Sequence, residues 1–174
     1  MTSRTVNVGM AEVKSYKGPV SYVCLGLGSC IAVCLLDPVA NVSVVAHIML
    51  PRSFSGKPTE EPGKFADTAV PEIKRQLEAL GGRVADAAVA YAGGAQVFQL
   101  GSGDKNRLDI GTRNSEAVRE ALTQHGFRIV AADVGGASGR SLVFESGTGS
   151  VRIRSFTQGE AELCNLRSQA LRAA

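Results

Sequence analysis

Tryptophan is absent from this chain, the aromatic side chains amount to six Phe and three Tyr, and histidine occurs only twice. Any chemistry that needs an imidazole must therefore use His47 or His125. The four cysteines, Cys24, Cys30, Cys34 and Cys164, include no C-x-x-C pair, so the usual ligand spacing of a structural zinc site is missing. Neither a metal nor a cofactor is expected. No apolar stretch approaches the roughly 18 residues of a membrane span; the longest, Val42–Leu50, is broken by Ser43 and His47. The opening Met1–Val8 lacks the apolar core of a secretory signal. The cysteines are accordingly expected as reduced thiols in a cytoplasm rather than as a disulfide framework. Excess charge is lacking too: 19 basic and 16 acidic residues leave +3, too little to make nucleic acid or an anionic membrane a default partner.

What is present suits one globular domain of 174 residues, with 44% hydrophobic and 20% charged residues. Twenty glycines and six prolines imply many turns. The β-branched and apolar runs Thr5–Val13, Val20–Leu27, Ile31–Leu36 and Val42–Leu50 predict strands, the last two forming a hairpin around Asp37–Asn41. Their continuous apolar character predicts strands covered on both faces. Arg52–Gly63, with two prolines and two glycines, reads as a surface loop.

Phe65, Ala69, Ile73, Leu77 and Leu80 recur at helical spacing over Lys64–Leu80, and Gly81-Gly82 ends the segment. Pro71 within it predicts a late start or a bend. Ala85–Tyr91 reads as a strand, and a second helix is expected from an Asn114 or Ser115 cap to His125-Gly126. Phe127–Ala132 is then a strand, Leu142–Glu145 and Ser150–Phe156 a hairpin, and Glu160–Ala174 a helical tail. The expected class is α+β.

The densest cluster of unusual features is Leu25-Gly26-Leu27-Gly28-Ser29-Cys30, with His47 on the next strand. Glycines just before a cysteine allow a sharp turn that exposes the thiol and aims backbone N–H groups at an oxyanion. A hairpin turn centred between Pro38 and Val39 would set Cys30 directly opposite His47, with Cβ atoms roughly 5 Å apart. An adjacent imidazolium would then lower the thiol pKa and serve as general acid and base. The same two residues would equally suit a buried thiol and a satisfied core histidine. His125, before a helix-ending glycine, reads as a C-cap.

Gly26–Cys34, Asp37-Pro38, Ala46–Pro51, Gly63–Ala69, Ala92–Ala95, Ile110–Asn114, Asp133–Gly136 and Gly139-Arg140 together resemble, in order, the signature of the CheD chemoreceptor glutamine deamidases. The resemblance covers about residues 5–158. It implies a layered α/β/β fold and hydrolysis of glutamine side chains on methyl-accepting chemotaxis receptors, with receptor methylesterase activity alongside. Cys30 matches the family's nucleophile and His47 its acid/base, with Gly28 and Ser29 on the oxyanion side. The family's third member, a threonine, is replaced here by Cys24, a poor acceptor for an imidazole N–H; Ser21 or Ser29 could stand in. Implied partners are the cytoplasmic helices of the receptors and a CheC-like phosphatase, the latter in the region of Phe98. The alternative that the Cys24 departure keeps open is a weakly active adaptor that binds the phosphatase.

Overall fold

The computed structural model describes residues 3–53, 59–96 and 109–172. Two five-stranded sheets lie face to face. Sheet 1 has the order β1 (Arg4–Asn7), β3 (Val20–Leu27), β8 (Arg140–Glu145), β9 (Ser150–Ser155), β10 (Gly159–Asn165). Sheet 2 runs β2 (Val13–Lys17), β5 (Val42–Ile48), β4 (Ile31–Asp37), β6 (Ala88–Gly93), β7 (Arg128–Val134). Helices α1 (Ala66–Ala79) and α2 (Ile110–Gln124) cover the outer face of sheet 2. Helix α3 (Leu166–Arg172) sends Leu166 and Ala170 into the core between the sheets. The expected α+β class holds, and two cores rather than one explain the layering.

The three central strands of sheet 2, β5, β4 and β6, are buried on both sides because they are almost wholly apolar. In β4, Ala32, Cys34 and Leu36 join the core between the sheets, while Ile31, Val33 and Leu35 pack under the helices. A strand with two apolar faces reads as a continuous run rather than an alternation, as expected. Across the inner core Tyr22 of β3 stacks on Phe144 at 5.6 Å, and its hydroxyl lies 2.7 Å from Ser43 Oγ on β5. That contact gives a buried polar atom a partner and ties one sheet to the other.

Several expectations are corrected. Thr5–Val13 is not one strand: β1 pairs in sheet 1 and β2 in sheet 2, and Val8–Glu12 crosses between them. Ala11, in the left-handed region at φ 66°, lies within this crossing. The tail is not wholly helical, since Gly159–Asn165 pairs antiparallel with β9. Glu160 there meets Arg152 at 2.9 Å and Arg154 at 2.7 Å, and ladder pairing outweighs the helical preference of Glu, Ala and Leu. Helix α2 starts four residues before Asn114, which is therefore interior and buried rather than a cap. Pro71 lies inside α1 without ending it, and the helix stops where Gly81, at φ 90°, turns its N–H onto Glu78 O.

The β4–β5 hairpin also departs from the expected register. Asp37 pairs with Val42, so the turn is the four residues Pro38–Asn41 and centres one residue later than expected. The Asp37 carboxylate accepts the N–H groups of Val39 and Ala40, and Asn41 takes φ 59°. A carboxylate reaching two and three residues ahead favours this wider turn over a tight one. His47 consequently faces Ala32, not Cys30.

Candidate active site

The chain passes between the two sheets twice near one end of the sandwich, at Val8–Glu12 and at Gly28–Cys30. A cleft of about 360 Å³ opens between these crossings, and Cys30 and His47 both line it. The two residues line one cleft although they are not a direct cross-strand pair. Cys30 precedes Ala32 by two residues and so keeps its side of the strand, which makes it a diagonal neighbour of His47.

Each of the two is held by backbone. The carbonyls of Gly28, Ser29 and Cys30 accept, in turn, Ala95 N–H at 2.8 Å, Asn114 Nδ2 at 2.8 Å and Gly94 N–H at 3.0 Å. Gly93 sits so close that a Cβ there would lie 2.1 Å from Cys30 O. Among the described residues every peptide is trans, and in a trans unit the N–H points opposite to the C=O. The N–H groups of Ser29 and Cys30 are thereby turned away from these anchors. Asn114 also donates to Met49 O at 2.9 Å, joining the start of β4 to the end of β5.

His47 is buried and clasped by the first crossing. Its backbone N–H donates to Glu12 O, and its carbonyl accepts Ala11 N–H. Its ring Nδ1 lies 3.1 Å from Val8 O. A carbonyl only accepts, so Nδ1 is the donor in this contact, and in the neutral ring the lone pair then sits on Nε2. The crossing is itself braced, as the Glu12 carboxylate accepts Gly9 N–H at 2.6 Å and meets Lys14 Nζ at 3.3 Å. That Gly9 hydrogen bond holds the Glu12 carboxyl below its usual range.

Cys24 does not join the cleft. It is fully buried in the inner core, and burial drives its thiol up to about 12. Ser21 Oγ donates to Glu145 at 2.8 Å and is likewise engaged elsewhere. Burial also pushes the Cys30 thiol upward, opposite to the lowering expected from an imidazolium, because partial desolvation disfavours the thiolate. Phe98 lies outside the described residues. Among the described residues no three His, Cys, Asp or Glu side chains gather as metal ligands, and no helix is long and apolar enough to cross a membrane. His125 stands at the C-cap of α2, its N–H on Ala121 O.

Two participants escaped the sequence reading. Val8 contributes a carbonyl, for which no side-chain signal exists. Asn114 belonged to a quoted motif, but its spacing also suited a cap.

Residues 49–155 match the family model described as CheD chemotactic sensory transduction. The chain is 41% identical over 153 residues to the chemoreceptor glutamine deamidase CheD of Thermotoga maritima, covering 88% of this chain and 93% of that protein. The probable chemoreceptor glutamine deamidase of Syntrophomonas wolfei is 38% identical over 91% of this chain and 98% of its own. That of Desulforamulus reducens is 42% identical over 87% and 90%. With the motifs in order, a matching family model over more than half its length and relatives matched nearly end to end, this chain belongs to the CheD family.

Proposed function

We propose that this protein hydrolyses the side-chain amide of selected glutamines on cytoplasmic helices of chemotaxis receptors, converting them to glutamate and releasing ammonia. The observation that carries this reading is the shared cleft, lined by a half-buried thiol and by an imidazole whose Nδ1 is already committed to Val8 O.

A thiol raised by burial is protonated near neutral pH, so attack is coupled to proton transfer. As Cys30 Sγ bonds to the amide carbon, its proton passes to His47 Nε2 and the carbonyl electrons move onto oxygen. The N–H groups of Ser29 and Cys30 receive that oxyanion. Collapse re-forms the carbonyl and breaks the C–N bond, and His47 gives its proton to the departing nitrogen, leaving a thioester. Water, activated by the same Nε2, then releases glutamate and restores the thiol. A receptor methyl ester would enter the same acyl-enzyme with methanol as the leaving group. The Val8 carbonyl takes the orienting role expected of Cys24, since it fixes the ring tautomer. A CheC-like phosphatase that seats over this cleft would compete with the receptor.

Mass spectrometry of receptor cytoplasmic fragments incubated with the wild type, Cys30→Ala and His47→Gln tests the reading. Site-specific conversion of glutamine to glutamate should vanish in both variants. Conversion that persists in Cys30→Ala refutes the nucleophile. No conversion by the wild type, with phosphatase binding retained, makes the protein an adaptor.

A further inference from the structure

Two of the large apolar side chains most open to solvent stand at the mouth of this same cleft. Met10 is 63% exposed and Leu25 is 66% exposed, and they rise from different crossings. Neither position is accidental. Along β3 the inward phase is even-numbered, with Tyr22 and Cys24 fully buried, until a bulge between Cys24 and Leu27 shifts it by one. Gly26, at φ 63°, absorbs the extra residue, and Leu27 returns to the core while Leu25 is left outside. Met10 sits on the turn closed by Glu12, whose neighbour Ala11 is held in the left-handed region and bonded to His47. The exposed methionine is thus tied through its neighbour Ala11 to the backbone of His47.

We propose that Met10 and Leu25 are specificity-determining residues that grip an amphipathic receptor helix on either side of its target glutamine. This rests on the deamidase reading above. Met10 and Leu25 line the cleft that holds Cys30, and on a helix the neighbours three and four residues from a glutamine share its face. They therefore land on the rim. Beyond Asn7, Cys30 and His47, the side chains lining the cleft are apolar or absent, and a charged neighbour pressed there would lose water without gaining a partner. The favoured helix carries small or apolar residues one turn before and after the glutamine. Glutamines flanked by lysine or glutamate at those positions are passed over, so the rim selects among sites that the thiol treats alike.

The test measures kcat and KM on a folded receptor cytoplasmic fragment for the wild type, Met10→Ser, Leu25→Ser and the double variant. Iodoacetamide alkylation of Cys30 and thermal melting serve as controls. Each serine should lower kcat/KM about tenfold, mainly through KM, with alkylation and melting unchanged. Met10→Leu and Leu25→Met should retain activity. Placing lysine one turn from a receptor glutamine should abolish its conversion by the wild type. A double variant that keeps wild-type kcat/KM, while Cys30→Ala is inactive, overturns the rim and leaves the deamidase reading standing. If Cys30→Ala is itself active, the deamidase reading falls first.

Discussion

Replacing Gly93 with alanine tests whether the backbone beneath Cys30 sets the reaction geometry. The new Cβ would lie 2.1 Å from Cys30 O, where real contacts essentially never fall below 3.0 Å. Roughly 1 Å must be found, and the nearest atoms are the Cys30 carbonyl group and Ile31 Cα, all backbone. Moving that carbonyl also strains its hydrogen bond from Gly94. A displacement of about 1 Å at a reacting group costs on the order of 10²-fold in rate. Residue 93 further sits at φ 123°, where a side chain is strained by about 1–3 kcal/mol. Overpacking adds about 1–3 kcal/mol, within the roughly 5–15 kcal/mol that stabilises a domain.

Gly81→Ala supplies the control. Gly81 is also left-handed, at φ 90°, but a Cβ there meets nothing within 4 Å. It carries the backbone penalty without touching the site. Urea unfolding and glutamine conversion should therefore separate the two variants. Both lose stability, but only Gly93→Ala loses about two orders of magnitude in kcat. Wild-type kcat in Gly93→Ala, or an equal loss in Gly81→Ala, refutes the reasoning.

Two further outcomes follow from the thiols. Burial raises Cys24 to about 12, Cys164 to about 11 and Cys34 well above its ordinary value, so the unfolded chain releases these protons first as pH rises. Stability should hold below about pH 8.5, the free-thiol value, and fall above it; urea midpoints should drop over that range and the slope should flatten in Cys24→Ala. Midpoints that rise with pH contradict the burial. Cys24→Thr should leave kcat unchanged, because His47 Nδ1 already has Val8 O and Cys24 does not line the cleft. The new hydroxyl, placed in the inner core, should lower stability by about 1–3 kcal/mol if it finds no acceptor, and a gain in kcat would refute the orienting role of Val8.

Much of the architecture was readable along the chain. The largely apolar runs Ile31–Leu36 and Val42–Leu50 announced strands covered on both faces, and Gly81-Gly82 marked the end of α1. Where Thr5–Val13 and Glu160–Asn165 were misread, the deciding partners were distant: sheet membership for one, the β9 ladder for the other. Nothing in local propensity encodes a change of layer.

The site divides in the same way. Glycine before cysteine and a histidine on the next strand made Cys30 and His47 candidates, but the same residues suited a buried core equally well, and only the ordered family motifs chose between the two readings. The register was missed by one residue, since it depends on which N–H groups the Asp37 carboxylate reaches. The acceptor for His47, the three anchors behind Gly28–Cys30 and the exposed rim of Met10 and Leu25 belong wholly to tertiary structure. A carbonyl is present at every residue, and only folding decides which one faces the imidazole. Side-chain chemistry is written in the sequence; the backbone groups that orient it acquire their roles when two crossings of the chain meet.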